Sequence, residues 1–78
     1  MLTTGNQLRA ARALIGIDQA TLAKKARLNV NTIRNMEAAG AGPIFGRAAN
    51  VQAVQKALEQ SGIEFFDGGR PGVRLKGS

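Results

Sequence analysis

The sequence contains neither cysteine nor histidine. The lack of cysteine excludes a disulfide framework and thiolate metal sites, and it fits a reducing compartment such as the cytosol. The lack of histidine removes the commonest metal ligand and the commonest general base. Clustered carboxylates and a phosphate-binding loop are also missing from the sequence. We therefore expect no enzymatic activity, no bound metal and no cofactor.

Long apolar runs and aromatic residues are also scarce. No stretch is long enough to cross a membrane, and the first residues carry no signal-peptide pattern, so we expect no membrane contact. The aromatic residues are three phenylalanines, whereas alanine is plentiful, which favours closely packed short helices. A chain of 78 residues is short enough to predict a single domain over 1–78.

Acidic residues are outnumbered by basic ones. Eleven Lys and Arg against five Asp and Glu give a formal net charge of +6, which is high for so short a chain. Such a balance favours nucleic acid or another anionic surface as the partner. Charge alone does not decide the function, because many soluble proteins are basic.

Helix signals divide the first part of the chain into three short helices. Thr4 is followed by Gln7 at the capping-box distance, and Gly16 ends the apolar repeat, so the first helix is predicted between these points. Asp18 and Asn29 predict the N-caps of the second and third helices. The apolar positions at helical spacing are Leu8, Ala11, Leu14, Ile15, Leu22, Ala23, Ala26, Ile33 and Met36.

A glycine-rich stretch over residues 38–47 predicts a loop after the third helix. We expect Ile44 and Phe45 to pack into the core from this loop. A fourth helix is predicted to begin near Asn50 and to end at Gly62, and its buried face is expected to comprise Val51, Val54, Ala57 and Leu58.

The end of the chain has a different pattern. Residues 63–65 and 73–75 alternate between apolar and polar side chains, and residues 67–72 between them favour a turn. This arrangement predicts a β-hairpin. A lone two-stranded hairpin is marginal in water, so it must pack on the helices or on another chain.

The third predicted helix opens with polar side chains. Val30, Asn31, Arg34 and Asn35 lie off its apolar stripe and are expected to be exposed. Two short helices joined by a tight turn, the second with an exposed polar head, describe a helix-turn-helix. The asparagines could equally be ordinary solvent-facing residues, but asparagine is a middling helix former, so capping and contact explain them better.

The run from Gln19 to Glu37 resembles the XRE/Cro–C1 family, which includes the lambdoid phage repressors. The shared features are the initial Gln19, the pair Leu22-Ala23, Ala26, the pair Thr32-Ile33 and the closing Glu37. The resemblance implies a mainly α, four-helix phage-repressor-like helix-turn-helix core over 4–61. The hairpin and tail over 62–78 resemble the ending of short bacterial proteins of this class.

The resemblance also implies a role for individual residues. Val30, Asn31 and Asn35 would face the major groove, and Arg12 and Glu37 would form an internal ion pair. Helix N-termini attract phosphate, and asparagine, valine and arginine suit adenine, the thymine methyl group and guanine respectively. The expected base contacts are Val30, Asn31, Asn35 and Arg34, and the expected phosphate contacts are Gln19, Lys24, Arg27 and Thr32. Two of these have alternatives: Arg34 could contact a phosphate instead of a guanine, which its position within the helix favours, and Thr32 could equally cap or pack.

Arg27 departs from the family pattern, which usually has glycine in the turn. A left-handed conformation at Arg27 would cost on the order of 1 kcal/mol. Either the turn is reshaped, which would tilt the recognition helix, or Arg27 adopts the strained conformation.

These observations favour a bacterial, sequence-specific transcriptional regulator in the cytoplasm, associated with the nucleoid. Its expected partners are double-stranded DNA and a second copy of itself on an inverted repeat, with the hairpin as the candidate interface. The alternative is a protein-binding adapter, such as an antitoxin or antiactivator, that uses the same fold as a scaffold. The hairpin keeps this alternative open, because a strand edge can recruit a partner strand.

Overall fold

A computed structural model describes residues 1–66 and 69–77 of the chain. These residues form four helices followed by a two-stranded antiparallel hairpin, which confirms the mainly α fold class with a C-terminal hairpin. In chain order the elements are α1 (Gly5–Ile15), α2 (Gln19–Ala26), α3 (Val30–Glu37), α4 (Ala48–Gln60), β1 (Ile63–Phe66) and β2 (Gly72–Leu75).

The start of α1 combines a capping box with a close backbone contact. Thr4 Oγ1 accepts a hydrogen bond from the Gln7 backbone N–H at 3.1 Å, and Gln7 Oε1 accepts one from the Thr4 N–H at 2.9 Å. A Cβ at Gly5 would lie 2.7 Å from both the Glu37 carbonyl oxygen and the Gly40 nitrogen. Glycine at this position therefore allows α1 to begin directly against the end of α3.

The predicted caps of α2 and α3 are confirmed. Asp18 Oδ1 accepts a hydrogen bond from the Thr21 N–H at 2.7 Å, and Asn29 Oδ1 accepts one from the Asn31 N–H at 2.8 Å. Each cap satisfies a backbone donor that has no partner inside its helix. The first residue of α3 is thereby fixed at Val30.

The start of α4 differs from the prediction. The helix begins at Ala48 rather than near Asn50, and its N-cap, Arg47, makes no side-chain cap hydrogen bond. Asn50 therefore lies inside the first turn. The alanines at 48 and 49 extend the helix backwards because alanine has the highest helix propensity.

The loop after α3 turns one of its two predicted core side chains outward. Ile44 is half-buried and packs against the core, but Phe45 is 85% exposed, so its predicted burial is wrong. The Ile44 N–H donates to the Thr3 carbonyl at 2.8 Å, next to a bridge between Thr4 and Pro43. Neighbouring residues of an extended segment point to opposite sides, so packing Ile44 inward directs Phe45 outward.

The core lies where the four helices meet the N-terminal segment and the hairpin. The predicted position of Leu14 on the apolar stripe of α1 is wrong, because this side chain is 43% exposed. The buried stripe runs through Leu8, Ala11 and the partly buried Ile15. The buried hydrophobic residues are Leu2, Leu8, Ala11, Leu22, Ala23, Ile33, Met36, Val54, Ala57, Leu58 and Ile63.

The hairpin packs on α1 and α4. Its register pairs Ile63 with Leu75 and Phe66 with Gly72, and Ile63 is 2% exposed. The turn predicted over 67–72 includes Asp67 and Gly68, which lie outside the described residues. In the described part of the chain, none of the helices has both the length and the apolar character that a membrane crossing requires.

Candidate nucleic-acid interface

Helix α3 presents one polar face and buries the opposite face. Asn31, Arg34 and Asn35 are exposed, and they lie at the i, i+3 and i+4 spacing of one helix face. Ile33 is fully buried and Met36 is 3% exposed, so the helix is held from behind by the core. This arrangement leaves the side chains at the head of the helix free to meet an external surface.

Val30 and Thr32 lie less openly than the other predicted contact residues. Val30 was expected to be exposed, but it is half-buried and packs against the core. It lies three residues before Ile33 and therefore shares the edge of the buried face. Thr32 is also half-buried, and its N–H donates to the Asn29 carbonyl at 3.0 Å.

The turn between α2 and α3 has the backbone conformation that glycine usually adopts, although Arg27 occupies the position. Arg27 has φ 58° and ψ 46°, which is the left-handed conformation. The Leu28 N–H donates to the Ala23 carbonyl at 2.9 Å, and the Arg27 N–H donates to the Lys24 carbonyl at 3.2 Å. This is the hydrogen-bond pattern of a Schellman motif. Of the two alternatives raised by the sequence, Arg27 adopts the strained conformation.

A buried carboxylate in the last turn of α3 connects this helix to α1. Glu37, 5% exposed, accepts hydrogen bonds from Arg12 Nε at 2.5 Å and from Arg12 Nη2 at 2.9 Å. Arg12 Nη1 also donates to the Ile17 carbonyl at 3.1 Å. Hydrogen bonding to Glu37 raises the pKa of Arg12. The ion pair expected from the resemblance is present, and it links the last turn of α1 to the last turn of α3.

Gln19 belongs to the same network. Its Nε2 donates to Glu37 Oε1 at 3.1 Å, and the side chain is half-buried. The amide expected to bind phosphate is therefore turned inward in this structure, where it helps to place α2 against α3. Its contact with phosphate stays a prediction: one N–H of the amide donates to Glu37, and the second N–H is the donor that a phosphate would accept from.

Exposed charged side chains lie at both ends of α2, basic at its end and acidic at its start. Lys24, Lys25 and Arg27 are exposed at the end of α2. Asp18 is exposed at the start of α2, where hydrogen bonds from the backbone and side chain of Thr21 lower its pKa. The positive charges of Lys24, Lys25 and Arg27 therefore attract a phosphate to the end of α2, whereas the Asp18 carboxylate repels one from its start.

Gln7 has a second role, which no sequence pattern indicates. In addition to its capping hydrogen bonds, its Nε2 donates to the Phe66 carbonyl at 2.9 Å and to the Gly72 carbonyl at 3.3 Å. The side chain therefore attaches the hairpin to the start of α1. The capping-box pattern located Gln7, but no local signal indicates a partner 59 residues away.

No group of acidic side chains in residues 1–66 and 69–77 is arranged to hold a metal ion.

No protein-family model matches this chain, and no curated protein sequence matches it either. The likeness to the XRE/Cro–C1 family therefore depends on the residues of the helix-turn-helix themselves.

Proposed function

We propose that this chain is a sequence-specific DNA-binding transcriptional regulator of the XRE/Cro–C1 type that reads the major groove with α3. The observation that carries the proposal is the exposed face of Asn31, Arg34 and Asn35 on a helix whose other face is buried. A helix of this kind fits the major groove, and its amide and guanidinium groups match base edges.

The charge of the molecule supports the same proposal. A net charge of +6 favours approach to DNA, and Lys24 and Arg27 are exposed in the last turn of α2 and in the turn that leads to α3. Phosphate contacts from these side chains would position the protein without reading sequence, whereas α3 would supply the specificity. In a bacterial cell, such a regulator would act at the nucleoid in the cytoplasm.

One recognition helix covers a short sequence, so the proposal includes a homodimer on an inverted repeat. The C-terminal hairpin is the candidate interface, because Phe66 and Leu75 are 40% and 49% exposed there. A protein that sediments as a monomer both alone and on its DNA would contradict this part of the proposal.

The same hairpin supports the second candidate function, a protein-binding adapter. Exposed apolar side chains and a strand edge are features that recruit a partner chain. Under this alternative, the polar face of α3 would not contribute to binding.

Selection from a random double-stranded DNA pool at near-physiological salt tests the proposal. The wild type should enrich a short inverted repeat. Asn35→Ala should weaken binding to that repeat by roughly tenfold or more, because one base contact is lost. Asn6→Ala is the matched control, since Asn6 is exposed at the start of α1, where its backbone N–H donates to the Gly40 carbonyl.

Both variants should keep the melting temperature of the wild type, because both side chains are exposed. A wild-type protein that enriches no motif would contradict sequence-specific binding. Equal binding by the wild type and Asn35→Ala would remove Asn35 from the reading face.

A further inference from the structure

Two of the exposed side chains on α3 are bonded to each other. Arg34 Nη1 donates to Asn31 Oδ1 at 2.6 Å, and both side chains are exposed. A guanidinium group has only donors, so the amide atom that faces it must be the oxygen. The Asn31 amide nitrogen is therefore turned away from Arg34.

The position of this pair is fixed by its neighbours. The Asn31 N–H is held by the capping oxygen of Asn29 at 2.8 Å, and Arg34 follows three residues later on the same helix face. In the described residues, no carboxylate lies within ion-pair distance of Arg34. The positive charge of the guanidinium is therefore available to an external acceptor.

The paired side chains present donors to the outside. Reading adenine through N6 and N7 requires asparagine to accept with its oxygen and donate with its nitrogen. One lone pair of the Asn31 oxygen already accepts from Arg34, so the pair offers more donors than acceptors: the amide nitrogen of Asn31 and the remaining N–H groups of Arg34. Guanine offers two acceptors, O6 and N7, in the major groove.

We infer that Asn31 and Arg34 act as one unit that reads guanine, rather than Asn31 reading adenine by itself. This inference rests on the proposed DNA-binding function and names the base that the site selects. Arg34 then has two tasks: it contacts the guanine, and it holds the Asn31 oxygen away from adenine N6.

Selection from the random DNA pool with Arg34→Ala tests the inference. The wild-type motif should contain a guanine at one position of each half-site. In Arg34→Ala the Asn31 oxygen is released, so the preference at that position should change from guanine to adenine, with a shift in relative affinity of roughly tenfold or more. Arg34→Lys should keep part of the guanine preference, because lysine also donates to Asn31 and to guanine.

Lys24→Ala is the matched control, because it removes an exposed positive charge from the neighbouring helix α2. It should weaken binding to all sequences about equally and leave the motif unchanged. If Arg34→Ala also lowers affinity uniformly without changing any position of the motif, the inference is overturned and the proposed function stands. If the wild type enriches no motif, the proposed function is overturned and the inference with it.

Discussion

The carboxylate of Glu37 positions the interface while lying beneath it. It accepts hydrogen bonds from Arg12 on α1 and from Gln19 on α2, and it belongs to the last turn of α3. Burying a charge is costly unless partners satisfy it, so the arrangement is stable only when the three helices meet in one geometry. The orientation of the proposed reading face therefore depends on a residue that is not itself expected to touch DNA.

Glu37→Gln should lower the free energy of unfolding by about 3 kcal/mol, because it leaves a largely buried guanidinium without its counter-charge. Urea unfolding followed by circular dichroism measures this change. Glu64→Gln is the control, because it breaks the ion pair between Glu64 and Arg74. The Glu64 side chain is 36% exposed and the Arg74 side chain is 63% exposed. Its cost should be under about 1 kcal/mol. Equal costs for the two variants would show that the Glu37 network contributes little to stability.

Local hydrogen bonds from capping side chains fix where α2 and α3 begin. Asp18 and Asn29 satisfy free backbone donors, so these two residues locate the starts of α2 and α3 from sequence alone. The end of α2 is different, because Arg27 is the residue with φ 58°. A side chain with a Cβ is strained there, so the turn is held by its backbone hydrogen bonds and by the packing of α2 on α3.

Arg27→Gly should raise the free energy of unfolding by about 1 kcal/mol, because glycine adopts the left-handed conformation without strain. Arg27→Ala retains a Cβ and should leave stability near that of the wild type. Thermal unfolding of the three proteins measures the difference. If alanine stabilises as much as glycine, loss of the charge rather than relief of strain is the cause.

On DNA, Arg27→Gly and Arg27→Ala should weaken binding alike, since both remove one phosphate contact expected of the arginine.

At the scale of the whole molecule, the N-terminal segment and the C-terminal hairpin both contribute to the core. Leu2 and Ile63 are both 2% exposed, and the Leu2 N–H donates to Gln55 Oε1 at 3.0 Å. Gln7 bonds the carbonyls of Phe66 and Gly72, which face each other across the hairpin. The hairpin therefore contributes to the core of the helices, which leaves its exposed side available for a second chain.

Ile63→Ala should lower the free energy of unfolding by about 3 kcal/mol, because it opens a cavity between the hairpin and α4. Leu75→Ala changes the residue paired with Ile63 across the strands, and its cost should be under about 1 kcal/mol because that side chain is 49% exposed. Urea unfolding compares the two. A negligible change in the free energy of unfolding for Ile63→Ala would show that the packing of the hairpin on the helices contributes little to stability.

The linear sequence suffices for the features that depend on neighbouring residues: the caps at Thr4, Asp18 and Asn29, the helical stripes apart from Leu14, and the exposed polar side chains of α3. Each follows from a hydrogen bond or a spacing within one turn of helix. Contacts between distant parts of the chain are responsible for the other features. Phe45 points outward because the Ile44 N–H donates to the Thr3 carbonyl, and the Gln19 amide is turned inward because it donates to Glu37. Such choices depend on which groups the folded chain brings together, and a linear pattern does not contain that information.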